Sequence, residues 1–134
     1  MFRTTRSSGV DVSAELRELP TSHLTYHHEG AWFVLGPTGL FVVTADDGDL
    51  RGAAELAVAN SSRLRADLAK ELAWVPFVDA LVATHNPEAA LRLPCIAVPL
   101  SLLRYTVSEG PRTVPEATLA QLTRLWLSIL SNQP

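Results

Sequence analysis

The run Trp32-Phe33-Val34-Leu35-Gly36-Pro37-Thr38-Gly39-Leu40-Phe41-Val42-Val43 constrains the fold more than any other part of the chain. Two apolar segments, Ala31 to Leu35 and Leu40 to Thr44, flank a Gly-Pro-Thr-Gly break. Both segments are short and rich in aromatic and β-branched residues, which fit a pleated surface better than a helix. Pro37 presets φ at the second turn position, and Gly39 can take the left-handed conformation that closes a bulged hairpin. Neither segment alternates polar with apolar residues. Both are therefore expected to be central strands covered on two faces.

The rest of the chain supplies the cover. Met1 to Val10 is polar and rich in Ser, Thr and Arg. A flexible tail is expected over residues 1–12, one domain over 13–130 and a C-terminal tail over 131–134. Ser13 reads as the cap or first turn of a short helix, Ala14 to Leu19, which Pro20 stops. A strand over Ser22 to His28 alternates Leu24 and Tyr26 against His23, Thr25 and His27, and Glu29-Gly30 turns the chain. After Asp46-Asp47-Gly48-Asp49, the stripe Ala57, Ser61, Leu64, Leu68, Leu72 predicts a long helix over Ala53 to Ala73. Strands follow at Phe77 to Ala83 and Cys95 to Val98, with His85-Asn86-Pro87 in the loop between them. Ser101 to Tyr105 reads as a helical turn. Thr113-Val114-Pro115-Glu116 reads as a capping box that starts a last helix, ending at Leu130. The fold class is α/β, a mixed central sheet flanked by helices in the order α-β-β-β-α-β-β-α. If the third strand and the Phe77 strand are parallel, the crossover between them should be right-handed.

Composition excludes several function classes. The chain has 134 residues, 47% hydrophobic and 19% charged, which is one globular domain. Its net charge of −3 gives no electrostatic case for nucleic acid as the default partner. Cys95 is the only cysteine, so no disulfide forms within the chain, as suits a reducing cytoplasm. No signal peptide and no apolar run of membrane-spanning length is visible. Of the 11 basic residues only Lys70 is not Arg, an association with GC-rich bacterial genomes.

The Gly-Pro-Thr-Gly hairpin, the order of the elements and the later Leu102-Leu103 pair together resemble the nuclease-related domain family, a branch of the PD-(D/E)XK nuclease fold. The similarity covers about Ser13 to Leu130 and implies a restriction-endonuclease-like core. In that family, carboxylates on the hairpin strands hold Mg²⁺, and a Lys beyond the second acid aligns or activates water. On the matching positions of this chain stand Ala31, Thr44 and Asp46. Ala31 has no ligand atom, Thr44 is a weak neutral ligand, and Asp46 reverses the charge of the Lys. Lys70 is the only lysine and falls deep in the long helix. Arg51, the nearest strong base after the hairpin, is a poor proton acceptor. Glu15 or Glu18 could match a Glu that the family carries on its first helix.

Other candidate sites are weaker. Asp46, Asp47 and Asp49 could hold a divalent cation, but lack the spacing and terminal Glu of an EF-hand loop, and a solvated turn explains them. His27 and His28 point to opposite faces of a strand and cannot chelate one ion together. Cys95, between Pro94 and Ile96, has no neighbour to activate it and reads as a buried, inert thiol. No Gly-rich phosphate loop or nucleophile elbow is present, and no cofactor is expected. The resulting expectation is a catalytically inactive nuclease-like domain serving as a protein-binding or assembly module, with a protein partner or a second copy of the chain. The contact is expected on the last helix at Trp126 and Leu127. Two alternatives stay open: a metal-dependent hydrolase rebuilt on Glu15, Asp46, Asp47 and Asp49, or a non-cleaving nucleic-acid binder using Arg51, Arg63 and Arg65.

Overall fold

The two apolar runs pair as an antiparallel hairpin, Ala31–Gly36 (β2) against Gly39–Ala45 (β3), at the centre of a five-stranded sheet. The computed structural model describes residues 11–86 and 94–131, with the backbone alone at Leu127 and Ser131. Leu24–His28 (β1) flanks β2 antiparallel; Val78–Thr84 (β4) and Ile96–Pro99 (β5) continue parallel beyond β3. The sheet is thus mixed, in the order β1-β2-β3-β4-β5. Nearly every residue of β2 and β3 is buried, because each face of the hairpin meets a different layer.

On one face, Ala31, Phe33, Leu35, Leu40 and Val42 pack with Leu64 and Leu68 of α2 (Leu50–Ala69) and with Leu122, Trp126 and Leu130 of α4 (Glu116–Ser131). On the other face, Val34, Phe41, Val43 and Leu81 pack with Val12 and Leu16 of α1 (Val12–Leu16) and with Leu103 and Val107 of α3 (Leu103–Ser108). Burying one such side chain contributes roughly 1.5–3 kcal/mol. The result is an α/β arrangement of three layers.

The hairpin closes over two residues, Pro37 and Thr38, with Gly36 opposite Gly39 and no bulge in the register. Gly39 takes φ +148°, a value that side chains rarely tolerate. This turn also anchors its surroundings. The Thr38 hydroxyl donates to the Val107 carbonyl, Thr113 Oγ1 donates to the Thr38 carbonyl at 2.9 Å, and the Val114 N–H donates to the Pro37 carbonyl at 3.2 Å.

Several boundaries differ from the sequence expectation. The first helix is capped by Asp11, which accepts the Ala14 N–H at 3.0 Å, and not by Ser13. Asp11 and Val12, assigned to the tail, therefore belong to the fold, and Val12 is fully buried. The Ser13 hydroxyl instead accepts from Trp32 Nε1 at 3.1 Å. The long helix begins at Leu50, since Asp49 accepts the Gly52 N–H at 2.9 Å, and it ends at Ala69. The turn at Ser101 extends: a 3₁₀ turn over Leu100–Leu102 runs into α3, adding a helix to the expected order. Pro115, whose carbonyl accepts the Leu119 N–H at 2.8 Å, stands at the cap of α4 and not in its first turn. Ser131, assigned to the C-terminal tail, ends α4. Pro87 of the loop after β4 lies outside the described residues.

Candidate functional site

Ala31, Thr44 and Asp46 converge at one end of the sheet. Ala31 and Thr44 are direct partners across the β2–β3 ladder, and both are buried on the face covered by α2. Thr44 Oγ1 donates to the Ala53 carbonyl in the first turns of α2 at 2.6 Å. The hydroxyl proton is thereby committed to the fold. Asp46 follows β3, and its N–H donates to the Ala83 carbonyl of β4 at 2.9 Å. Its Oδ2 accepts from the buried Thr84 hydroxyl at 2.7 Å, and its Oδ1 accepts the Gly48 N–H at 3.1 Å. Asp46 is therefore a clasp between the loops after two parallel strands, a role that its charge alone did not reveal.

Beside this clasp lies an open cleft of about 450 Å³. Trp32, Ala45, Ala53 and Leu56 supply apolar walls, Gly30 of the β1–β2 turn closes one side, and Asp47 and Asp49 stand at the rim. The carboxyl end of a parallel strand and the start of the following helix form the usual place for ligands in α/β sheets, since loops there are free to vary. Leu56 stays 38% exposed although it sits on the helix that covers the sheet. The signal available in the sequence was a leucine outside the Ala57-Ser61-Leu64-Leu68 stripe. Nothing in the sequence tied it to Trp32.

The carboxylates proposed as a rebuilt metal site do not meet. Glu15 lies on α1 over the opposite face of the sheet, 3.8 Å from Arg104 of α3, which also stands 3.6 Å from Glu18. Asp46 turns to Thr84, whereas Asp47 and Asp49 face the cleft. No three His, Cys, Asp or Glu side chains among the described residues come together as metal ligands. His27 and His28 do occupy opposite faces. His27 stacks on Trp32 with centroids 4.3 Å apart and planes 8° apart, while His28 stacks on Tyr26 and lies 3.8 Å from Glu29. His85 follows β4 and is exposed. Cys95 is half-buried against the Ala54 carbonyl, and burial pushes its thiol pKa up, away from the reactive thiolate.

The basic residues do not form one patch. Arg51 and Arg65 lie on one helix about 21 Å apart along its axis. The Arg65 guanidinium sits 6.0 Å from the centroid of the Phe77 ring. Trp126, expected on a partner-facing surface, is only 2% exposed and belongs to the core, so it cannot present a contact while α4 stays docked. The Leu127 side chain is outside the described residues. No helix among the described residues is long and apolar enough to cross a membrane. Comparison of the chain with protein-family models, with curated proteins and with solved structures finds no match in any of the three.

Proposed function

We propose that this chain is a nuclease-like domain, with a restriction-endonuclease-like core, that has no phosphodiesterase chemistry and works as a protein-binding or assembly module. The observation that supports the reading is the pairing of Ala31 with Thr44 at the matched site positions. One of them offers no donor atom, and the other gives its hydroxyl proton to Ala53. Phosphodiester cleavage by this route needs at least a metal-holding carboxylate pair and a group that positions water. Here Asp46, at the position of the water-aligning Lys, is a negatively charged strap held by Thr84. The cleft that remains is walled by Trp32 and Leu56, which suits binding better than hydrolysis. We place the protein in a reducing bacterial cytoplasm, in keeping with its single cysteine.

Purified protein incubated with Mg²⁺ or Mn²⁺ and single- or double-stranded DNA or RNA should leave every substrate intact. Cleavage above background that Asp46→Ala abolishes would overturn the reading. Affinity capture from the source cell should return a stoichiometric protein that Leu56→Lys, placed in the cleft wall, fails to retain.

A further inference from the structure

We infer that the outer edge of β1 pairs with a second copy of this chain, so that two five-stranded sheets join into one across a two-fold axis at Tyr26. The inference gives the assembly reading above a surface and an occupant, and it does not use the cleft. β1 is one end of the sheet, and no strand among the described residues lies beyond it. Glu29 and Gly30 reverse the chain into β2 with φ +47° and +82°, the left-handed pair of a two-residue hairpin turn. In such a hairpin the closing residues, His28 and Ala31, exchange both backbone hydrogen bonds. Alternation along the strand then turns the backbone groups of Leu24 and Tyr26 inward, to Leu35 and Phe33. Those of Thr25 and His27 point outward, and these are the two exposed residues of the strand.

Open edges usually carry a guard against pairing, such as Pro, a charge, a bulge or a very short strand. β5, at the other edge, has four residues and ends at Pro99, which has no N–H. β1 runs in unbroken register along β2 and contains no Pro, Lys, Arg, Asp or Glu. Its outward groups select a second copy in one register. Antiparallel pairing joins outward residues to outward residues. With Tyr26 opposite Tyr26 of the copy, Thr25 faces His27 and His27 faces Thr25, so every outward N–H and C=O of both strands is met. With Thr25 opposite itself, His27 would face His23, whose ring is wedged against Gly36. With His27 opposite itself, Thr25 would face Glu29 in the turn. In the favoured register the two Tyr26 side chains meet where cross-strand side chains come closest, and aromatic pairs are favourable there.

Sedimentation equilibrium of the full chain should show monomer passing to dimer between about 1 μM and 1 mM. Thr25→Pro removes only an outward N–H, so the fold should survive while each copy loses a donor to the other. The dissociation constant of the dimer should rise at least about tenfold. In the parent, the His27 amide should exchange with solvent at least about tenfold more slowly at the top of that concentration range than at the bottom. The register is read by cross-linking on a Cys95→Ala background. Across the axis the Cα atoms of the two residues 26 lie about 4.5 Å apart and those of the two residues 25 about 8 Å apart, so Tyr26→Cys should form a disulfide between copies and Thr25→Cys should not. A chain that stays monomeric with an unprotected His27 amide, a dimer indifferent to Thr25→Pro, or bridging by Thr25→Cys in preference to Tyr26→Cys overturns the inference. If Thr25→Pro unfolds the chain, the amide exchange and the cross-link decide. The two proposals fail separately: divalent-metal-dependent cleavage defeats the inactive-nuclease reading and leaves the edge pairing standing, whereas a monomer that cleaves nothing defeats only the edge pairing.

Discussion

The Thr84 hydroxyl donates to Asp46 Oδ2 at 2.7 Å, so a fully buried residue at the end of β4 holds the loop that leaves β3. The Thr84 hydroxyl oxygen in turn accepts the Asn86 N–H at 3.0 Å, which extends the clasp to the loop after β4. Thr84→Val keeps the side-chain shape and removes both interactions. It should lower stability by about 1.5–3 kcal/mol, the range for a hydrogen bond to a charged group, since the exposed Asn86 N–H can turn to water. Asp46→Ala should cost a similar amount. A double-mutant cycle by denaturant unfolding should show the two effects coupled and not additive.

His23 packs against the backbone of the hairpin, and a Cβ built on Gly36 would lie 2.2 Å from its Cδ2 and 2.5 Å from its Nε2. Gly36→Ala should therefore destabilise the protein by about 1–3 kcal/mol through overpacking. His23→Ser on the same background should recover most of the loss in melting temperature. If the second substitution brings no recovery, the contact between the two residues is not the cause.

Burial lowers the pKa of His23, partly offset by a hydrogen bond to the Val107 backbone. The folded state thus favours the neutral imidazole. The unfolded chain binds the proton more readily, so this contribution to stability is complete above pH 6.5 and is lost as pH falls through the lower folded value. His23→Phe keeps a ring on Gly36 and removes the titration. The difference in melting temperature between parent and variant should move against the parent as pH is lowered from 7 to 5. A difference that is flat across this range would remove His23 from the pH response.

Asp79 on β4 shows the opposite linkage. Burial raises its carboxyl pKa above the ordinary 3.8, so its ionised form destabilises the fold at neutral pH. Asp79→Asn, which resembles the protonated acid, should raise the melting temperature at pH 7. The gain should shrink as pH falls through the raised folded value and vanish below 3.8, where the parent is protonated in both states.

Trp126 Nε1 is buried and meets no hydrogen-bond acceptor among the described residues. An unmet buried donor costs about 1–3 kcal/mol, and Trp126→Phe relieves that while giving up some volume. The two effects oppose each other, so Trp126→Phe should change stability little, whereas Trp126→Ala should cost about 3–5 kcal/mol. Chemical denaturation of the three proteins checks the order.

Much of the fold was legible because its signals are local. The Gly-Pro-Thr-Gly break, the leucine stripe of α2 and the Thr-Val-Pro-Glu start of α4 are each read within a few neighbouring residues, and each element formed near where its pattern placed it. The misses came from competition between neighbours. Asp11 and Ser13 are both good caps, and Ser13 was lost to Trp32, a residue far away in sequence. Thr113 looked like a capping residue, yet its hydroxyl proton goes to Thr38. The cleft was illegible for a related reason. Its walls come from a strand, a turn and a helix, and only their assembly brings Trp32, Gly30 and Leu56 to one cavity. Trp126 was expected at a contact beside Leu127, but its side chain packs with Leu122 and Leu130 in the core.

The sheet order, in which every strand lies beside its neighbour in sequence, bears on how the chain reaches this state. The three N-terminal strands close through tight reversals, which carry a small loop-closure cost. Their pairing needs no residue of α2 or of any later element. Completion of α2 then brings β4 alongside β3, the only step among the described strands 1 to 4 that must wait for a long intervening segment. The order of the strands across the sheet thus repeats their order in synthesis, from an antiparallel side to a parallel edge.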